Sequence, residues 1–205
     1  STAILISLLL YSCNYATYRL GDFAKVNINQ SIDLRNKKIA VLPTQISGNP
    51  KLTISWNESE KFEMYFSEIL DAKTVNRTWV ETKLNEFNID PTKLTSNDLK
   101  KIKLELNCDY LLIPTLHYEI APTTAPLILN ESGRNNPNFI NSNTLSDFIL
   151  QPNSISVSLV EPNTKTTVIF GRAELSVLKN IQRTDMAYEI AWAIKKALYP
   201  EFEEQ

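Results

Sequence analysis

The sequence predicts an α/β or α+β domain in which amphipathic helices pack on a single mixed sheet. Three observations predict this class: compact apolar runs typical of buried strands, apolar stripes with helical spacing between them, and a late segment that alternates serine with aliphatic residues. The chain has 205 residues, of which 43% are hydrophobic, and this is enough for one domain with a sizeable core. We place that domain at residues 37–200.

The first half of the domain contains two predicted strands and three predicted helices. Pro43 closes the first apolar run, because the residue before a proline favours extended backbone. Thr95 and Asp98 have the spacing of a capping box, which predicts a helix start. Trp79 falls on the apolar stripe of its helix, and this predicts a core position. The predicted elements are a strand at 39–43, helices at 58–70 and 77–87, a helix that starts at Thr95, and a strand at 109–120.

The second half begins with a long segment, residues 121–153, in which proline, asparagine and serine dominate. This composition predicts a surface loop, and function often lies on such loops, although a plain insertion is the alternative. Residues 154–160 predict a half-buried strand with serines on one face, and residues 167–177 return as the second strand of a hairpin. A final amphipathic helix is predicted to be capped by Thr184 or Asp185.

The composition argues against several classes of function. A net charge of −2 provides no basic field for nucleic acid, and four glycines form no phosphate-binding loop. One histidine and two cysteines are too few for a soft-metal site, so we predict no metal and no cofactor. His117 has no Gly-x-Ser-x-Gly partner sequence, and a structural role is the prediction for it. Converging carboxylates are the enzymatic alternative that 23 acidic residues leave open.

The amino-terminal residues 1–12 are apolar and uncharged. They are too few to span a membrane, which needs about 20 apolar residues, but they have the length of a signal-peptide core. Because no Lys or Arg precedes them, we expect the given sequence to be trimmed at this end. A plain secretory signal, or a buried element with Cys13 as an inert core thiol, are the alternatives.

Leu10-Tyr11-Ser12-Cys13 resembles the lipobox of bacterial lipoproteins, with Tyr11 in place of the usual smaller residue. The resemblance implies cleavage before Cys13 and lipid attachment to it, with residues 13–36 as a lipidated tether. Asn14 is not the aspartate associated with inner-membrane retention, which implies the outer membrane, with the protein facing the periplasm. Cys108 would then be the single remaining thiol, and its place before an apolar run predicts burial.

Three further segments resemble the envelope lipoproteins related to the TolB amino-terminal domain and the curli-secretion lipoprotein. They are "IAVLP" at 39–43, "CDYLLIPTL" at 108–116 and "VSLVEPNTKTTV" at 157–168, while Pro114 and Lys165 stand where that group usually has glycine. The resemblance implies a sheet-and-helix domain in the cell envelope. Curli-secretion relatives form pores from β-hairpins, but residues 121–152 contain prolines and no sustained alternation, so we predict no pore.

We therefore predict a lipid-anchored envelope protein that acts as an adaptor or scaffold for another envelope protein, without catalysis. Trp56 in a loop, together with Asn130, Arg134 and Phe139 in the long segment, are the candidate partner-binding residues. Core packing is the alternative for Trp56. A hydrolase with converging carboxylates and a carrier of a small apolar ligand are the alternative functions. The sequence predicts no oligomeric state.

Overall fold

The computed structural model describes residues 19–48, 57–118, 153–175 and 185–201. These residues form one mixed, open sheet of seven strands with four helices packed on it, which is an α+β fold and confirms the predicted class. The strands are β1 (Ala24–Ile28), β2 (Lys38–Val41), β3 (Gln45–Ser47), β4 (Lys73–Thr74), β5 (Tyr110–His117), β6 (Ser154–Glu161) and β7 (Thr166–Glu174). The helices are α1 (Asn57–Leu70), α2 (Arg77–Glu86), α3 (Ser96–Leu106) and α4 (Met186–Leu198).

The strand order is β1-β7-β6-β5-β2-β4, and β3 pairs with the far end of β5. The β5-β6-β7-β1 half is antiparallel, whereas β2, β3 and β4 run parallel to their neighbours. The predicted hairpin is confirmed as β6 and β7, with an irregularity between Leu159 and Val160.

Helices cover the two faces of the sheet to different extents. α1 and α4 pack on the face that carries Val41, Leu112 and Val157, and together they form one continuous core. α2 and α3 pack on the opposite face, around Ala40, Leu111 and Val160, over the β2 and β5 part of the sheet. The second face is therefore open over β6, β7 and β1 as far as the described helices are concerned.

Local sequence signals explain where the helices start. The Thr95 side chain accepts from the Asp98 backbone N–H, and the Asp98 carboxylate accepts from the Thr95 backbone N–H at 2.8 Å, which confirms the predicted capping box. Asp185 caps α4 by accepting from the Tyr188 N–H, as one of the two predicted caps. Asn76 caps α2 in the same way through the Trp79 N–H.

Two predictions about placement are wrong. Residues 24–28, assigned to the tether, form edge strand β1, because Ala24, Val26 and Ile28 alternate with polar residues and pack towards α4. Trp79 is 46% exposed, because the buried stripe of α2 passes through Val80 and Leu84, one residue further around the helix.

Within the described ranges, no helix combines the length and the apolar character needed to cross a membrane.

Candidate functional site

The structure does not place the site residues predicted from sequence. Cys13, Trp56, Asn130, Arg134 and Phe139 all lie outside the described residues, and their roles stay predictions. The long segment 121–153 is likewise outside, apart from Asn153. The candidate site is therefore built from the described residues that flank that segment.

We call the side of the sheet opposite α4, over strands β5, β6, β7 and β1, the open face, because the described helices leave most of it uncovered; Ser154 and Ser156 on this face are buried. Its side chains follow from strand alternation, because the residues between them on each strand belong to the core. Most of the side chains on this face are polar or charged. The open face comprises Ile113, Thr115 and His117 of β5, Ser154, Ser156 and Ser158 of β6, Phe170, Arg172 and Glu174 of β7, and Lys25 and Asn27 of β1.

The strand pairing arranges these side chains in transverse rows. Thr115, Ser156, Arg172 and Lys25 are successive register partners across all four strands. Directly opposed side chains on neighbouring strands have Cβ atoms about 5 Å apart, so each row is a line of neighbours. In this row, the two cations Arg172 and Lys25 are neighbours, and Ser156 lies between Arg172 and Thr115 of β5.

His117 contacts a serine of β6. Its Nε2 atom lies 2.7 Å from the Oγ of Ser156, which is two residues along β6 from Ser154, the register partner of His117. Burial, and then the positive charge of Arg172, lower the pKa of His117 below its usual 6.5. The ring is therefore mainly neutral at pH 7, and it can accept from or donate to Ser156 according to its tautomer.

Two polar groups of the open face have no hydrogen-bond partner. The Ser154 Oγ and the Arg172 Nε are both inaccessible to solvent and bond to nothing among the residues described. The Glu174 Oε1 lies 4.0 Å from the Arg172 Nε, which is an ion-pair distance but too long for a hydrogen bond. The guanidinium thus keeps donor capacity, and the side chain as a whole is 42% exposed.

Both ends of the segment 119–152 are fixed beside the open face. The Tyr118 N–H donates to the Ser47 carbonyl at 2.9 Å, and the Asn153 N–H donates to the His117 carbonyl at 2.8 Å. His117 and Ser154 then pair in the β5-β6 ladder. A segment of the chain with predicted partner-binding residues therefore leaves and rejoins the sheet next to His117.

The groups of the open face can donate and accept hydrogen bonds. A serine–histidine contact is the first half of a nucleophilic triad, but among the described residues no carboxylate bonds to the other ring nitrogen. No group of three or more potential metal ligands occurs in the described ranges. Cys108 is 4% exposed, and burial raises the pKa of its thiol to about 11, so it is an unreactive core residue, as predicted.

A second concave surface lies on the other half of the molecule, between α1 and the start of α2. This groove has a volume of about 670 Å³ and is open to solvent; Glu60, Glu63 and Arg77 are among its lining residues. The Glu63 Oε1 is buried without a partner in the described structure, and desolvation raises the pKa of this carboxyl to about 7. Arg77 pairs with Glu60, so this arginine does not neutralise the charge of Glu63.

The sequence predicted a structural role for His117 and a half-buried strand with serines on one face, and it assigned neither these residues nor Arg172 or Lys25 to a site. Lys25 fell in the predicted tether, and only the β1-β7 register brings it beside Arg172. The sequence does contain a signal for Arg172: residues 170–174 alternate along the strand, so Phe170, Arg172 and Glu174 lie on one face.

No family model matches this chain, and no curated protein matches it either. Among solved structures, the chain is similar to the LpoB C-terminal domain from Salmonella enterica, with 11% identity, a TM-score of 0.42, and coverage of 83% of this chain and 91% of that one. It is similar to E. coli LpoB, with 10% identity, a TM-score of 0.48, and coverage of 69% and 57% of the two chains. It is also similar to the lipoprotein GNA1162 from Neisseria meningitidis, with 11% identity, a TM-score of 0.41, and coverage of 82% and 99%.

Proposed function

We propose that this protein is a lipid-anchored adaptor of the bacterial cell envelope, which binds another envelope protein. In this proposal, the Cys13 sulfur carries the lipid, and the domain faces the periplasm from the outer membrane. The lipobox-like Leu10–Cys13 pattern supports the anchor, since lipid chains contribute about 0.8 kcal/mol per buried CH₂ group. The single observation that supports the adaptor role is the open face, where the partly exposed Arg172 and the exposed Lys25 are neighbours on the sheet that holds both fixed ends of segment 119–152.

In this proposal, the tether is confined to the residues before Arg19. Asp22 pairs with Lys196 of α4 at 2.7 Å, so the chain is already held to the domain at that point. A chain spans at most about 3.5 Å per residue, so the residues between Cys13 and Arg19 allow a separation of no more than about 20 Å. The open face would therefore act close to the membrane surface, on a partner that is also near it.

The residues proposed to contact the partner are Trp56, Asn130, Arg134 and Phe139, together with the open face. Trp56 immediately precedes Asn57, where α1 begins. Tryptophan, arginine and aromatic residues are the side chains that most often dominate the binding energy of protein interfaces. The proposal includes no catalytic step.

The anchor is tested by expressing the complete gene in a bacterial host and measuring intact mass and detergent-phase partitioning. We expect a mature protein that starts at Cys13 and carries acyl chains, and Cys13→Ala should abolish both the added mass and the partitioning. Cys108→Ala is the matched control, because it removes the other, buried thiol and should leave the lipid in place. An unmodified mass that retains residues 1–12 would contradict the anchor.

The adaptor role is tested by deleting residues 126–146, which lie between the two fixed ends of the segment. We expect the deletion to abolish capture of the partner while the thermal unfolding transition stays nearly unchanged. Unchanged capture by a folded deletion variant would remove the segment from the proposed interface, and loss of folding would show that it belongs to the core.

A further inference from the structure

The open face contains donors that the described residues do not use. The Arg172 Nε–H and the Ser154 hydroxyl are buried without a hydrogen-bond partner, and Ser154 is only 1% exposed. Leaving such a group unpaired costs free energy, because its hydrogen bond to water is lost and not replaced. The Arg172 Nε is inaccessible to solvent, whereas the Arg172 side chain as a whole is 42% exposed, so an acceptor brought by a ligand would bond to the terminal guanidinium nitrogens.

The charges on the open face favour an anionic acceptor. Lys25 is exposed and stands opposite Arg172 in the β1-β7 ladder. Two carboxylates lie nearby: the Glu174 Oε1 is 4.0 Å from the Arg172 Nε, and Asp22 pairs with Lys196 of α4 at 2.7 Å, so one of the two positive charges has no carboxylate assigned to it among the described residues. His117 is mainly neutral and adds a ring nitrogen rather than a charge. A planar guanidinium beside an ammonium group is the arrangement that binds a carboxylate with two or more charge-assisted hydrogen bonds.

The dimensions favour a side chain of a partner over a free ligand or a membrane. Lys25, Arg172 and Glu174 line a cavity of about 190 Å³ at the β1 edge, with Asp22, Phe23 and Ala24. Pockets for small molecules usually measure about 300–1,000 Å³, so this one is the size of a single side chain. Binding to anionic lipid headgroups typically uses clusters of about four to eight cations, whereas this face has two.

We propose that the open face binds an acidic segment of a partner protein, with a carboxylate held by Arg172 and Lys25. This inference rests on the proposed adaptor function and deepens it by naming the chemistry of the partner. The guanidinium supplies the directional hydrogen bonds, and the Lys25 ammonium supplies a second positive charge from the neighbouring strand. Phe23, at the same cavity, supplies apolar contact for the methylene groups of a glutamate.

The experiment measures binding of a fluorescein-labelled hexaglutamate peptide to the purified full-length chain by fluorescence anisotropy at low salt. We expect saturable binding by the wild type and a loss of about tenfold in affinity for Arg172→Gln, since one charge-assisted donor pair is removed. Lys73→Gln is the matched control, because it removes one exposed positive charge at β4, the opposite edge of the sheet, and should change the affinity less than twofold. Should Arg172→Gln fail to fold, Lys25→Gln on the exposed edge strand replaces it, with the same expected loss.

Equal affinity of wild type and Arg172→Gln would overturn the proposal, and so would an equal loss in Lys73→Gln. Two competition arms distinguish the source of the anion. In one arm, millimolar inorganic phosphate competes with the peptide. In the other arm, vesicles of phosphatidylcholine and phosphatidylglycerol compete, at a concentration of anionic headgroups equal to that of the peptide carboxylates. Displacement of the peptide in either arm would also overturn the proposal.

A failure here is distinguishable from a failure of the adaptor function. If lipid modification and partner capture persist but the peptide does not bind, the adaptor stands and the acidic segment is wrong. If the peptide binds through Arg172 while capture is absent, the open face binds carboxylates but the adaptor function is wrong.

Discussion

The backbone N–H of Gly21 donates a hydrogen bond of 2.8 Å to the Glu189 carboxylate, across 168 residues of sequence. Glu189 lies in the first turn of α4 and is 1% exposed. Gly21 has a φ of +82°, and a Cβ atom at this position would come within 2.6 Å of the Ala193 backbone nitrogen. The entry to β1 is therefore fixed on α4, and the folded domain begins before the predicted boundary at residue 37.

Gly21→Ala is expected to destabilise the domain by about 2 kcal/mol or more, because the new methyl group meets helix backbone and the φ is unfavourable for alanine. Chemical denaturation of the two proteins measures the difference. Ser31→Ala, in the exposed turn after β1, is the control and should change the free energy of unfolding by less than about 0.5 kcal/mol. A stability for Gly21→Ala equal to that of the wild type would contradict the close approach of Gly21 to α4.

Truncating Val80 to alanine should cost more stability than truncating its larger neighbour, Trp79. Trp79 is 46% exposed, and Lys83 lies over its ring at 4.5 Å, so Trp79→Ala should cost less than about 1 kcal/mol. Val80 is fully buried between α2 and the sheet, so Val80→Ala should cost about 1–3 kcal/mol. Thermal unfolding of both variants checks the order, and a larger loss for Trp79→Ala would restore the core position that the sequence predicted for it.

Local patterns in the sequence predicted most of the fold, because the signals for helix starts and strand faces lie within a few residues. Thr95 and Asp98 are three positions apart, and the serines of β6 alternate within one strand. β1 was missed because a five-residue edge strand with two polar positions becomes recognisable only through its pairing with β7, far along the chain. The open face required the same long-range register, since no local pattern places Lys25 beside Arg172.

Glu63 should make stability depend on pH. Desolvation raises the pKa of this carboxyl from 4.5 to about 7, so the folded protein binds a proton that the unfolded chain releases between those values. The contribution of Glu63 to the free energy of unfolding therefore falls as pH rises through this window. Glu63→Gln should stabilise the protein at pH 8 by on the order of 1 kcal/mol, after allowing for solvent screening of a half-buried group.

Urea denaturation at pH 4.5 and pH 8 tests this prediction, because the difference between wild type and variant isolates Glu63 from other titrating groups. Glu68→Gln is the control, since Glu68 is exposed on the same helix and the net charge changes equally. An identical pH dependence for wild type and Glu63→Gln would show that Glu63 is solvated.

His117 is the single histidine of the chain, so its ring protons give an isolated NMR signal. Burial and the charge of Arg172 lower its pKa, so the titration midpoint should lie below 6.5. Arg172→Gln should raise the midpoint, yet leave it below 6.5, because the cation is removed while burial remains. A midpoint at or above 6.5 in the wild type, or no response to Arg172→Gln, would contradict the arrangement of the open face.

The most direct test of the central claim is photo-cross-linking in bacterial cells that express the complete gene. The photoreactive residue p-benzoylphenylalanine replaces Asn27 on the open face or, for comparison, Lys100 on the exposed surface of α3. The adaptor account predicts an adduct of one defined mass from position 27, with none from position 100, and a weaker adduct when Cys13→Ala or Arg172→Gln is added. Adducts from position 100 with none from position 27 would show that the partner binds elsewhere and would contradict the account.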